Sequence, residues 1–527
     1  MPGKLTANRA LFEVPDGLTY FARDGEYLVV NPHAGGRCVL DEREFAVLQA
    51  LARTGEALEP TRETERTLAK LILSWVVYHN GNRPKIKLTE PALQTVYYAI
   101  TDGCNLRCPY CYASSEKCLP GELDTAESLD LVSRIAGFGA GLMVFTGGEP
   151  MLRKDLFPIV EHANELGLRC NIITNATMIR TPAQAARFAE LFGNVTVSMD
   201  GATAETHDRT RGAGAFAKTY RALELLNDAG VAPSINHIVT SENVHHLEDF
   251  ATFMEGLQVN SIRLMYHNNL GRGITDEYDF GWADHLRVQQ LVWTVPVAGK
   301  LRPLGPKPIS PCSIKGNCGM GGSEIYINSL GDVYPCKLVT GREHFAGNVR
   351  RQSLEDIFAT PVLRGMRTST VFGGEYHDDC ERCYIKATCG GGCRAAHMAE
   401  SGDARRNSRH LCRILRHGVV TQMWQEAGVD PREIAAHDTE MTTPRLVATG
   451  EVHAVYEDWK TFVPVSLPTP EPPARARVGE LLPITPPSDD KTAGGGACRS
   501  ASVTPWCGRR RARASRSTTP RPGTSAP

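Results

Sequence analysis

Between Gln94 and about His267 the chain repeats one pattern six times: a short apolar, β-branched run, a turn, then an amphipathic helical stretch. The strand runs are Val96 to Thr101, Leu142 to Thr146, Arg169 to Thr174, Val195 to Met199, Ile235 to Val239 and Ser261 to Met265. Leu156 to Leu166 and Ala183 to Phe192 are two of the helical stretches between them. Strands that alternate with helices pair in parallel through crossovers, so this stretch predicts an α/β fold, a partial (β/α)6 TIM-like barrel. Chemistry in such folds lies at the C-terminal ends of the strands.

The end of the first strand is occupied by Cys104-Asn105-Leu106-Arg107-Cys108-Pro109-Tyr110-Cys111. With 16 Cys among 527 residues, this three-cysteine spacing would arise by chance roughly 0.015 times. Three thiolates on one loop can hold three corners of a 4Fe-4S cubane, which ordinarily takes four Cys ligands, and the fourth iron is then open. An open metal position turns a structural site into a catalytic one. The competing readings are a zinc site short of a ligand, or a cluster completed by a distant Cys. At the second strand end stands Thr146-Gly147-Gly148-Glu149-Pro150, where glycines let the backbone approach a ligand and a carboxylate can receive an ammonium group. Ser198-Met199-Asp200-Gly201 closes the fourth strand, and His207-Asp208-Arg209-Thr210-Arg211-Gly212 follows.

Over about residues 94–270 these motifs resemble the radical S-adenosylmethionine (SAM) superfamily, whose signature is CxxxCxxC after the first strand with an aromatic residue, here Tyr110, before the last Cys. The resemblance implies a 4Fe-4S cluster on Cys104, Cys108 and Cys111. It further implies SAM contacts from Gly147, Gly148 and Glu149 (methionyl ammonium), Ser198 (ribose) and Arg211 (carboxylate). Thr174 and Asn175, at the third strand end, could help line the pocket, and a plain surface loop is the competing reading for Arg209.

Further on, Cys318, Gly331 and Cys336, then Cys380-x2-Cys383-x5-Cys389-x3-Cys393 and Cys412, are similar to the SPASM extension of peptide and protein maturases. Cys312 supplies an eighth thiolate, enough for two more fully ligated 4Fe-4S clusters. The resemblance, and not the spacing, assigns Cys312, Cys318, Cys336 and Cys393 to one and Cys380, Cys383, Cys389 and Cys412 to the other. Two zinc ribbons are the competing reading, disfavoured because only one close CxxC pair is present. Cys38, Cys118, Cys170, Cys498 and Cys507 fit no pattern and are expected to be free thiols.

The expected organisation is a small winged-helix-like domain at 1–93, the barrel at 94–300, the Cys-rich iron-sulfur domain at 301–425, an extension at 426–463, and a Pro/Arg-rich tail at 464–527 expected to be disordered. In the first domain Tyr27 to Val30 and Arg37 to Leu40 read as strands, Asp41 with Glu44 as a helix cap, and Glu63 to Tyr78 as a second helix. Residues 300–420 show little helical periodicity before Asn407. The formal net charge of -1 excludes a nucleic-acid coat, no run approaches the ~20 apolar residues of a membrane span, and Met1 to Arg9 lacks a secretion signal. A soluble, cytoplasmic protein is the expectation.

With three 4Fe-4S clusters, SAM and a low-potential electron donor, the expected chemistry is reductive SAM cleavage and hydrogen abstraction by the resulting 5'-deoxyadenosyl radical. Leu28 to Pro32 and Leu40 to Glu42 are similar to small peptide-recognition domains, so the expected partner is a ribosomally made peptide or a protein engaged through residues 1–93. Sulfatase-maturing relatives carry an acidic proton acceptor where Lys337 stands, and a protonated lysine is a poor base, so crosslinking or another peptide modification is favoured over sulfatase-type oxidation. A noncatalytic iron-sulfur electron carrier is the alternative from another class. No catalytic acid or base is assigned; Asp332, Tyr334, Tyr266 and His267 are pocket candidates only.

Overall fold

The computed structural model describes residues 12–455 apart from 54–60, 86–89, 268, 275–279, 295–299, 303–313, 374–377, 404–405, 431 and 436–439. Cys312, Cys498, Cys507 and the tail at 464–527 lie outside the described residues. The N-terminal strands are β1 (Phe12–Glu13), β2 (Thr19–Arg23), β3 (Glu26–Val30), β4 (Arg37–Leu40) and β5 (Tyr78–His79). The central sheet contains β6 (Thr95–Thr101), β7 (Leu142–Gly147), β8 (Arg169–Thr174), β9 (Asn194–Ser198), β10 (Ser234–Val239), β11 (Ser261–Tyr266), β12 (Leu301–Arg302), β13 (Glu324–Ile327), β14 (Asp332–Tyr334) and β15 (Gly347–Asn348). The last strand is β16 (Arg445–Leu446).

The fold is α/β. The central sheet has ten strands in the order β12-β11-β10-β9-β8-β7-β6-β13-β14-β15, parallel from β12 through β13. Its two ends do not meet, which makes it the partial barrel that the six strand-helix repeats predict. Alternation along each strand explains the layering. Val96, Tyr98, Ile100, Met143, Phe145, Ile172, Val195, Val197, Ile235 and Ile262 belong to one buried core with the surrounding helices. Each such side chain contributes about 1.5–3 kcal/mol by leaving water. Tyr98 also places its hydroxyl 2.9 Å from Ser128 Oγ on the helix Thr125–Phe138. The alternate positions Tyr97, Ala99, Val144, Thr196, Ser198, Asn236 and Ile238 fall on the opposite, inward face.

The Cys-rich segment enters this sheet directly: β13 pairs in parallel with β6, and the β13–β14 and β14–β15 pairs are antiparallel. Contrary to the weak periodicity expected before Asn407, the segment holds short helices at Leu354–Phe358, Pro361–Thr368, Lys386–Cys389 and Arg394–Ser401. Each is too brief for a periodicity window to register. A longer helix, Arg409–Glu426, follows.

At the N-terminus the Asp41–Glu44 cap forms reciprocally, with Glu44 N–H donating to Asp41 Oδ1 at 2.8 Å and Asp41 N–H to Glu44 Oε2 at 3.1 Å. Two sequence expectations are corrected. The second helix spans Arg62–Leu73 and ends at Ser74, because Trp75 takes a positive φ of 57° that breaks the helical path; Tyr78–His79 then pairs with β1 instead of continuing the helix. The sheet has the unexpected strand β2, and β16 is added to it, giving the order β16-β2-β3-β4. One face of that sheet (Tyr20, Val29, Leu40) packs on its own helices. The other (Phe21, Leu28, Val30) shares a core with Tyr384, Cys383, Cys389 and Trp424 of the Cys-rich segment. Among the described residues no helix is long and apolar enough to cross a membrane.

Candidate active site and cysteine clusters

The loop from Cys104 to Cys111 is held by contacts from four sides. The β6–β7 pairing shifts register between Ala99 and Thr101, so that β6 ends in a bulge that redirects the chain into the loop. Thr101 Oγ1 accepts the Gly103 N–H at 3.0 Å and donates to Glu122 Oε2 at 2.9 Å; Glu122 Oε1 accepts the N–H groups of Asp102 and Leu119 at 2.7 and 3.0 Å. Arg272 donates from Nε to Cys108 O at 3.1 Å and from Nη1 to Ser115 O at 3.0 Å, while its own N–H reaches Cys111 O at 3.0 Å. Gly271 adjoins it, with φ of 59° and a position where a Cβ would stand 2.3 Å from Tyr112 O. Arg272 and Glu122 were not assigned from the sequence; neither lies in a motif, and only their hydrogen bonds to backbone groups in and beside the loop reveal them.

The Gly-Gly-Glu-Pro segment lies against the same loop. Gly148 N–H donates to Thr101 O at 2.9 Å and Glu149 N–H to Gly103 O at 2.8 Å. A Cβ on Gly147 would stand 2.2 Å from Thr101 O, and one on Gly148 2.1 Å from Gly103 O. Glu149 is fully buried: Oε1 accepts from Thr174 Oγ1 at 2.7 Å and Met151 N at 3.1 Å, and Oε2 from Asn175 N at 2.8 Å. Burial raises its pKa and these hydrogen bonds oppose the rise. Asn175 extends the link, donating from Nδ2 to Asn105 Oδ1 of the cysteine loop at 2.9 Å.

Ser198 pairs in register with Asn236 across β9 and β10. The Asn236 Oδ1 atom is buried with no hydrogen-bond partner among the described residues, so this inward face presents an acceptor awaiting a donor. Arg211 is buried in an ion pair with Asp200, Nε to Oδ2 at 2.5 Å. Tyr110 donates its hydroxyl to the same Asp200 oxygen. Arg209 is exposed on its helix and lies 3.8 Å from Glu242.

The other cysteines fall into two groups. Cys380, Cys383, Cys389 and Cys412 line one cavity with Lys386, Asn407, Leu415 and Arg416. Burial, reinforced by the neighbouring thiols, pushes Cys380 up to about 12 and Cys389 up to about 11. Asn407 Nδ2 donates to Cys380 Sγ at 3.4 Å, and Arg416 hydrogen-bonds to Cys383. In the second group, burial pushes Cys336 up to about 12, with a further rise from nearby Cys393, and Cys318 in turn lies near enough to Cys393 to raise it. Cys318, Cys336 and Cys393 are thus brought together, while Cys312 lies outside the described residues. Lys337 follows Cys336 with Nζ 4.9 Å from the Tyr97 ring centroid, and burial pulls its pKa down against the pull of Cys336 and Glu324.

Of the pocket candidates, Tyr334 pairs with Tyr326 in register. Asp332 accepts from Asn348 Nδ2 at 2.7 Å, a hairpin contact. The Tyr266 hydroxyl lies 2.7 Å from His285 Nδ1, and His267 hydrogen-bonds through its backbone to Val239 O.

A cluster of buried thiols that must be thiolates to bind is costly unless a cationic group joins them. That donor set fits an iron-sulfur core at the three-cysteine loop and at the four-cysteine cavity.

Comparison with known proteins decides the family. Residues 98–254 match the Radical SAM superfamily, and residues 318–384 match SPASM, an iron-sulfur cluster-binding domain. The AdoMet-dependent heme synthase of Oleidesulfovibrio alaskensis is 30% identical over 354 residues, covering 62% of this chain and 89% of that protein. The chain belongs to the radical SAM superfamily with a SPASM extension. The mycofactocin maturase MftC of Mycobacterium ulcerans is 31% identical over 313 residues, 57% of this chain and 82% of that one. Streptococcus suis SuiB, solved bound to its precursor peptide SuiA, shares the fold with a TM-score of 0.51 at 16% identity, covering 75% of this chain and 98% of that one. Iron-sulfur clusters and SAM are therefore the cofactors of this radical SAM enzyme.

Proposed function

We propose that this radical SAM enzyme modifies a ribosomally made peptide, which it engages through the N-terminal sheet. The observation that carries the reading is the arrangement of strand edges. β16 pairs with Thr19 and Tyr20 on the β2 edge, which leaves β4 as the longer of the two end strands of the sheet among the described residues, beside the core shared with Cys383 and Cys389. An open edge accepts an extended peptide as an added strand, with backbone hydrogen bonds for affinity. The names of MftC and of the SuiB–SuiA complex support a peptide substrate.

Cys104, Cys108 and Cys111 would hold the cluster that delivers an electron to SAM, whose cleavage supplies a 5'-deoxyadenosyl radical for hydrogen abstraction. Gly147 and Gly148 keep backbone close to that loop, Glu149 presents a carboxylate, and Ser198 with the unpartnered Asn236 Oδ1 offers polar groups for the ribose. Arg211 keeps donors for a carboxylate beyond its bond to Asp200. Cys380, Cys383, Cys389 and Cys412 would hold a second cluster, and Cys318, Cys336 and Cys393 with Cys312 a third. Enclosure excludes water from so reactive an intermediate. Burial shifts Lys337 toward its neutral form, the form that can accept a proton, while Cys336 and Glu324 oppose that shift.

A tetrapyrrole substrate is the second reading, favoured by the heme synthase similarity. The test is anaerobic reconstitution with dithionite and SAM, measuring 5'-deoxyadenosine and product mass with a short peptide encoded beside the gene, or with an iron tetrapyrrole. A mass change in the peptide, lost when a proline at Val39 blocks the β4 edge, supports the first reading. Turnover of the tetrapyrrole alone refutes it. Release of no 5'-deoxyadenosine with clusters intact leaves the electron carrier.

A further inference from the structure

Next to the three-cysteine loop lies one buried ion pair whose contacts go beyond those expected for SAM. The Asp200 carboxylate, 1% exposed, ties together separate parts of the barrel. Its Oδ1 accepts the Ile238 N–H of β10 at 3.0 Å. Its Oδ2 accepts Arg211 Nε at 2.5 Å, the Tyr110 hydroxyl, and Thr210 Oγ1 at 3.5 Å. Arg211, held this way, has Nη1 3.9 Å from Cys108 Sγ and its guanidinium carbon 5.4 Å from the Tyr110 ring centroid. A buried guanidinium is costly unless paired, and Asp200 supplies the pairing.

The other ionisable groups around Asp200 are His207 and His237, both held down to about 4, chiefly by burial. They are neutral near pH 7, so the charge beside Cys108 reduces to one cation and one anion. A cation hydrogen-bonded to a cluster ligand favours the more negative, reduced cluster and raises its potential. A carboxylate in contact with that cation cancels much of the field.

We propose that Asp200 is a positioning residue that, through Arg211, sets the reduction potential of the cluster on Cys104, Cys108 and Cys111. It fixes the guanidinium against Cys108 Sγ and offsets its charge, which holds the cluster at the low potential that SAM cleavage demands. The proposal rests on reading the loop as a cluster site.

The experiment is a potentiometric titration of the anaerobically reconstituted full-length protein without SAM, following the electron paramagnetic resonance signal that SAM perturbs in the wild type and that is recognised in each variant by its g values. Asp200→Asn keeps an acceptor for the Ile238 N–H but leaves Arg211 unopposed, and its midpoint shifts positive. Arg211→Gln leaves Asp200 unopposed, and its midpoint shifts negative. The double variant returns toward wild type, and Arg211→Lys, which keeps the charge, shifts less than Arg211→Gln. Shifts of the same sign in Asp200→Asn and Arg211→Gln, or none in either with the SAM-responsive signal intact, overturn the proposal. If Asp200→Asn does not assemble the cluster, the Arg211 variants decide: equal shifts for Gln and Lys overturn it. A wild-type protein with no SAM-responsive signal overturns the cluster reading itself, and the proposal with it.

Discussion

Replacing Gly148 by alanine should displace the cysteine loop. A Cβ at this position would lie 2.1 Å from Gly103 O, 2.5 Å from Gly103 C and 2.7 Å from Asp102 O. All three atoms are backbone, so no side chain can swing away. Ordinary contact begins at 3.4 Å, and the backbone just before Cys104 must therefore retreat by about 1.3 Å, a displacement of the size that costs on the order of 100-fold when reacting groups are misplaced. The Glu149 N–H bond to Gly103 O resists separation of the two segments, which directs the strain into the loop. The assay is the initial rate of 5'-deoxyadenosine formation with dithionite and saturating SAM, normalised to iron content. Gly137→Ala is the control: it lies in the helix Thr125–Phe138, where an added Cβ meets nothing within 4 Å, and should leave the rate unchanged while adding up to about 1 kcal/mol of stability. A Gly148→Ala protein with wild-type iron and a rate within about threefold of wild type would refute the argument that close backbone approach positions the loop.

Three further outcomes are expected. Cys389→Ser should remove about four irons per chain while the SAM-responsive signal from the Cys104 to Cys111 loop persists; an iron assay with electron paramagnetic resonance checks both. Glu149→Gln should lower the denaturation midpoint, because the Met151 and Asn175 N–H groups and the Thr174 hydroxyl converge on a carboxylate, and an amide turned toward them leaves a donor unsatisfied at a cost of about 1–3 kcal/mol. His207 is held down to about 4, chiefly by burial, and its Nδ1 accepts the Asp200 N–H at 3.2 Å. The unfolded chain therefore binds the proton more tightly, and stability falls as pH drops from about 6.5 toward 4, by about 2 kcal/mol between pH 7 and 5. Urea midpoints should show a weaker acid dependence in His207→Gln, and an identical dependence in the two proteins would contradict this.

The barrel strands were legible because their outward positions are apolar and branched, and their packing needs little beyond periodicity. Helix ends were harder: Val76, Val77 and Tyr78 continue the apolar signal past Leu73, and only the positive φ at Trp75 ends the helix. The strand Arg445–Leu446 was missed because its partner Thr19–Tyr20 lies across most of the chain, which no local window contains; Thr19–Arg23, by contrast, forms a local hairpin with Glu26–Val30 through Asp24 and Gly25, both at positive φ, a turn signal that was overlooked. Local motifs carried most of the site, since the cysteine loop and the Gly-Gly-Glu-Pro turn are each continuous in sequence. Asp200 stood inside a quoted motif without a role. Its partners Tyr110, Arg211 and Ile238 come from three separate segments, and the network exists only once the barrel closes around them.

The two-residue strand β16 has a consequence for how the molecule is made. Arg23 bonds to Glu433, 410 positions later, and β16 lies farther on still. The sheet's strands β2 to β4 therefore emerge from the ribosome before the barrel, yet the sheet reaches its full strand complement only after the barrel and the Cys-rich segment have been made. During synthesis its β2 edge stays open while the barrel and the Cys-rich segment are being added, and unpaired edges invite wrong partners. Grafting these strands onto another enzyme would need segments from both sides of the barrel, since residues 12–79 alone carry an unfinished sheet.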